Sequence, residues 1–207
     1  MANSSAVPLT TFVDFVRKSG TPKLTVVRTF KNRKPYDPVT DFYKRLREAI
    51  ISTHERATPI AALDDVLSIA NTKKLPQYRA LISGYKKFVG KRSIKWFDPP
   101  RTEWNAGGIS VLINPELGLD IAGTRHVIKL YLKGEKVSKS AVEIIGHLME
   151  TVFSNTNSPA LYGLLDVRNA HLHKSGKSAA LGALLMGEAA SFAAIMNSLQ
   201  SGPNSTN

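Results

Sequence analysis

The sequence predicts an α+β fold. A basic, mainly helical N-terminal part is packed on or linked to a small sheet ordered β-β-β-α-β-β-α, which ends in a long apolar helix. Three observations predict it. Apolar residues recur at helical spacing between residues 40 and 90, the pattern turns to alternation after Gly107, and helical spacing returns in "SKSAVEIIGHLMETVF" and again after Ser178. The expected division is residues 1–103 as the basic part with one early strand, 104–200 as the α+β core, and 201–207 as a disordered tail.

The elements follow in order. After a polar leader, "TPKLTVVRTF" is β-branched enough for a strand, and "KNRKPYDPVT" reads as a loop with two prolines. A helix follows, capped by Asp37 or Thr40, with Phe42, Leu46, Ala49 and Ile50 as its apolar stripe. Thr58 and Pro59 announce a second helix that runs to Asn71. Leu75 and Pro76 open a third, which buries Tyr78, Leu81, Ile82, Tyr85, Phe88 and Val89 and stops at Gly90. "KWFDPPRTEWNAGG" has the Pro and Gly of a linker, although Trp96, Phe97 and Trp104 suggest that it is tucked against something.

Three short strands are expected near 109–114, 117–122 and 125–133. The next helix carries Ser140 and Glu143 at capping-box spacing. "ALYGLLDVR" is a buried strand, "NA" a tight turn and "HLHK" a short return, before a final helix from about Ser178 to Leu199. That helix is apolar on almost every face. Its Ala, Gly and Ser residues add little transfer energy, and Glu188 at its middle would cost roughly 2.5 to 3.5 kcal/mol on an insertion scale, so no membrane partner is expected. Packing on the sheet is expected instead, with a homodimer through the outer side of this helix as an alternative contact.

Composition narrows the function classes. With no cysteine, a disulfide framework, a thiolate metal site and a thiol nucleophile are all excluded, and "MANSSAVPLT" is not a secretory leader, so a cytoplasmic protein is expected. The net charge is +12, of which residues 1–103 carry +11. Arg17 to Lys34 holds seven basic residues and no acid, and Lys73 to Arg101 holds nine against Asp98 alone. Such segregation points to a polyanion, DNA or RNA. The residues expected to contact phosphate are Lys73, Lys74, Arg79, Lys86, Lys87, Lys91, Arg92 and Lys95, on and around the third helix. That helix and the one before it, joined by "NTKKL", could form a helix-turn-helix presenting Gln77, Arg79, Ser83 and Lys86. An acidic protein partner is the alternative for the same surface.

"LDIAGTRHVIKLYLKGE" reads as a hairpin. With Gly123 and Thr124 as its turn, Asp120 faces Val127 and Leu119 faces Ile128. One face then holds Leu117, Leu119, Ile121, His126, Ile128, Leu130 and Leu132, and the less apolar face holds Asp120, Val127, Lys129 and Tyr131. An ordinary ion pair between Lys129 and Asp120 on a partly exposed face follows.

Over residues 107–168, the order of three strands, a helix and a strand, with Asp120 on the second strand and Lys129 on the third, resembles the PD-(D/E)XK nuclease core. The resemblance implies a divalent metal, Mg or Mn, held by Asp120 and a second acid, with Lys129 supporting the attacking water or the phosphate. Val127 occupies the second acid's place, so Glu116, Glu48 or Glu143 would have to substitute. An inactive or binding-only version is what this departure implies, and no cofactor is expected otherwise.

Two further groups carry chemistry. His171 and His173 share a strand face and could hold a metal, with Asp166 or His126 as a further ligand. Asp166, near the end of an apolar strand, should pair with Arg168. No glycine-rich phosphate loop, serine elbow or dinucleotide fingerprint is present.

Overall fold

A computed structural model describes residues 6–33, 41–68, 70–154, 159–174 and 176–199. The expected caps Asp37 and Thr40 and the expected tail from 201 lie outside the described residues. The fold is mixed α+β, with seven α-helices and two sheets among the described residues.

The first elements differ from expectation. Residues read as a polar leader form β1 (Val7–Pro8) and α1 (Leu9–Val16), where Leu9, Phe12, Val13 and Phe15 are all buried. The expected early strand is instead α2 (Thr21–Lys31). Its β-branched residues suggested a strand, but Pro22 fits the first helical turn, and Lys23, Val27 and Phe30 fall on one side at helical spacing. Tertiary packing of that stripe outweighs a modest local preference.

Three helices then cover one face of the main sheet. α3 (Lys44–Glu55) starts later than expected, where Asp41 accepts from the Tyr43 amide at 3.0 Å and from Arg47 at 2.8 Å. The helix expected over 58–71 is shorter, a 3₁₀ turn at Ile60–Asp64 running into α4 (Asp65–Ser68). α5 (Leu75–Val89) matches expectation and ends at Gly90, whose φ of +52° suits the residue without a Cβ.

Two strands lie in the segment expected as a linker, β2 (Ile94–Phe97) and β3 (Thr102–Ala106). β4 (Ile109–Ile113), β5 (Leu117–Ile121) and β6 (Thr124–Tyr131) follow as expected. The rest of the chain is α6 (Lys139–Phe153), β7 (Leu161–Asp166), β8 (His171–Lys174) and α7 (Ala179–Ser198). The cap of α6 is Ser138, whose hydroxyl accepts from the Ala141 amide at 3.1 Å, rather than Ser140. The three strands expected side by side are divided. β4 pairs with β1 and β3 in one sheet, while β5 and β6 join β2, β7 and β8 in a second, ordered β2-β5-β6-β7-β8.

The second sheet separates two cores. On one face Leu117, Leu119, Ile128, Leu130 and Leu165 pack on α3, α4 and α5 through Leu46, Ile50, Val66, Tyr78, Leu81, Tyr85 and Phe88. On the other, Val127, Tyr162 and Leu164 join α6, α1, α2, α7 and the smaller sheet. Both cores take residues from each side of residue 103.

The β5–β6 turn lies one residue earlier than expected, which slides the pairing by two residues. The turn is Ala122–Gly123, with φ of +51° and +86°, so that Asp120 faces Arg125 and Leu119 faces His126. Two successive positive φ values define the type I′ turn that matches strand twist, and Gly123 supplies one at no steric cost. The face assignment survives, because a slip of two residues preserves which side chains share a side.

Candidate functional site

The basic residues divide by element. α5 presents Arg79, Ser83 and Lys87 outward along one stripe, continued by Lys73 before it and by Lys91 and Arg92 after it, all exposed. The stripe exists because Tyr78, Leu81, Ile82, Tyr85 and Phe88 turn the opposite side into the core. Lys73, Arg79, Lys87, Lys91 and Lys95 make no side-chain hydrogen bond or ion pair among the described residues. Three others are engaged. Lys86 meets Asp64 at 2.6 Å, Lys74 lies over the Phe42 ring and Arg92 over the Phe88 ring.

Lys95 stands apart. It registers with Asp120 on β5 and so projects from the sheet face opposite α5. The other basic segment also lies elsewhere, since α2 packs into the second core. There Lys23 pairs with Glu188 of α7, and Lys31 donates to the Leu199 carbonyl.

Beyond the C-terminal end of α5 the positive surface continues. A cavity of about 310 Å³ is lined by Arg92, His126, His171 and Lys174. A second, of about 850 Å³, shares His171 and Lys174 and adds Lys136, Lys139, His173 and Glu143. Strand β8 is the edge of its sheet, so this path is open along its length. The His171 and His173 rings are 4.4 Å apart, and burial followed by the neighbouring His171 holds His173 below its ordinary value of 6.5 against the opposing pull of Asp166. His126 is also lowered, by burial chiefly, while its Nδ1 lies 2.8 Å from the Thr124 carbonyl.

Lys129 is 6% exposed, far more buried than expected. Its Nζ donates to Glu116 Oε1 at 2.7 Å and to Asn114 at the backbone oxygen (2.8 Å) and Oδ1 (3.2 Å), so all three ammonium hydrogens are engaged. Glu116 Oε2 accepts from the Leu130 amide at 2.8 Å. The pair therefore ties the β4–β5 connection to the C-terminal end of β6.

Asp120 is not the partner of Lys129. It lies opposite Arg125, four residues back along β6, about 13 Å away at strand rise, and its carboxylate accepts from the Gly123 amide in the turn. The pairing with Glu116 was missed because Glu116 precedes β5, outside the residues that the alternation pattern defines. No group of three His, Asp or Glu side chains that could hold a metal occurs among the described residues. Asp166 pairs with Asn169, through its backbone and side-chain amides, while Arg168 donates to Gln77.

α7 is long and apolar enough to cross a membrane by length and composition, with a mean hydropathy of 1.7. In the fold Leu185, Ala189, Phe192 and Ala193 are buried, Glu188 meets Lys23, and the outer side leaves Leu184 and Met186 53% and 60% exposed. No protein-family model and no curated protein matches the chain.

Proposed function

We propose that this protein binds nucleic acid through phosphate contacts along the outer stripe of α5 and onward over the β8 edge. What supports the reading above all is that Lys73, Arg79, Lys87 and Lys91 are exposed with no acid spent on them among the described residues. A fifteen-residue helix is about 22 Å long, enough to lie beside roughly six phosphates of one strand. Such contacts release counterions, so binding is tight at low salt and largely independent of sequence. Fluorescence anisotropy with labelled DNA and RNA over a salt series tests this. Steep loss of affinity with salt, abolished by reversing Arg79 and Lys87 to Glu, is the expected result; a weak, flat response indifferent to those reversals overturns it.

The exposed Leu184 and Met186 favour a second reading, self-association through α7. The outer side of that helix carries Ala183, Gly187 and Ala190, which would allow a second copy to approach closely. Sedimentation of the parent beside Leu184→Glu decides it, since a concentration-independent monomer in both rejects it.

A further inference from the structure

We infer that the cavity between the β2–β3 loop and the start of β6 is a binding site for a nucleotide, a planar ring carrying an anion. The cavity is about 550 Å³, within the range of small-ligand pockets. It lies on the face of the main sheet away from α5, so it does not depend on the polyanion reading.

Its construction starts at Gly118. A Cβ there would strike the Phe97 ring, so the missing side chain lets that ring lie flat across β5. Phe97 in turn seats Arg125, whose guanidinium carbon is 3.8 Å from the ring centroid. One face of the guanidinium is thereby fixed while its edge remains available for a fork of hydrogen bonds. That edge is unspent. Arg125 Nε is buried without a hydrogen-bond partner, and neither Arg125 nor Arg101, across the cavity mouth, forms an ion pair among the described residues.

The terminal nitrogens of Arg125 are neither buried nor hydrogen-bonded among the described residues, and they are the donors that a ligand in the adjoining cavity would reach. The acceptor must be anionic and suited to a fork, as phosphate and carboxylate are. The opposite wall is apolar and flat. Phe153 and Tyr162 lie stacked at 26°, and the Tyr162 hydroxyl forms no hydrogen bond among the described residues. Aromatic walls select a ring, and Asp98 on the same loop supplies an acceptor for a sugar hydroxyl or ring amine. Phosphate on two arginines, a ring against Phe153 and Tyr162, and a hydroxyl toward Asp98 together describe a nucleotide.

Isothermal titration of the full chain with adenosine 5′-monophosphate tests the site, with adenosine, inorganic phosphate and 2-naphthoate as separate arms. The expected result is saturable binding of the nucleotide at one site, with adenosine and phosphate each about tenfold weaker or more. Arg125→Gln and Arg101→Gln should each weaken nucleotide binding about tenfold. Arg101 is exposed and supports no packing, so Arg101→Gln remains informative if Arg125→Gln folds poorly. Binding that ignores Arg101→Gln, or nucleotide binding no tighter than inorganic phosphate, overturns the proposal by placing the anion on the general basic surface. 2-Naphthoate binding as tightly as the nucleotide overturns it in favour of a simple aromatic acid.

Discussion

Lys129 and Glu116 face each other across β6 and the entry to β5 at 2.7 Å, with side chains only 8% and 13% exposed. The ammonium's remaining hydrogens go to Asn114 and the carboxylate's second oxygen holds the Leu130 amide, so each charge is satisfied on every side. The arrangement fastens the chain where it leaves one sheet for the other.

Removing one member leaves the other charged and buried. Lys129→Met should cost about 3 to 5 kcal/mol by urea denaturation. Glu116→Gln should cost less, because the amide oxygen can still accept from Leu130. A double-mutant cycle with Lys129→Met and Glu116→Gln should return a coupling energy of about 1 to 3 kcal/mol. Additive losses would mean that the two side chains act separately.

Gly84 sits mid-helix, where Ala is ordinarily favoured by about 1 kcal/mol. Here the sign should reverse. A Cβ at Gly84 would land on the Val167 and Arg168 carbonyl oxygens, backbone atoms that cannot swing away, so Gly84→Ala should destabilise by about 1 to 3 kcal/mol. Ser83→Ala, exposed on the same helix, is the control and should be near neutral.

Stability should fall on mild acidification. Burial lowers His54, His126, His147 and His173 below 6.5, so each prefers to be neutral in the fold. The unfolded chain therefore binds more protons just below pH 6.5. Stability is complete above that value and is lost as pH falls through it toward the lowered folded values. His54, 2.7 Å from the buried Tyr85 hydroxyl, should contribute visibly, and His54→Gln should flatten the dependence of denaturation free energy on pH.

Nucleic-acid affinity should move the opposite way with pH while falling with salt. Protonating His173 adds charge to the path beside Lys174 and Lys136, so binding at constant salt should tighten as pH falls from 6.5 toward its lowered value, provided the fold is intact. Lys87→Ala and Lys91→Ala should each reduce the slope of log K against log salt by about 1, and Lys95→Ala, on the other sheet face, should leave it unchanged. Equal effects from all three would contradict a track along α5.

The legible parts of the fold were those with local signals. α5 has a proline in its first turn, an unbroken apolar stripe and Gly90 at its end, and it lies within a residue of its expected bounds. The sides of β5 and β6 were legible because alternation fixes them even when the turn is misplaced. Non-local facts were not. Nothing near Lys129 in sequence identifies Glu116, thirteen residues earlier, as its partner. The division of β4 from β5 depends on partners at Val7 and Trp104, and Pro99 and Pro100 disguised the strands on either side of them. The cavity beside Arg125 was equally hidden, since its walls come from β2, β6, α6 and β7.

The parallel pairing of Val7 and Pro8 with Val111 and Leu112 sets an order on biosynthesis. At 5 to 20 residues per second, about the usual rate of translation, α1 and its Phe12 and Phe15 exist for several seconds before the strand that seats them leaves the ribosome. The nascent chain thus exposes the apolar side chains of residues 9–16 throughout that interval, which makes this segment a natural landing place for a chaperone.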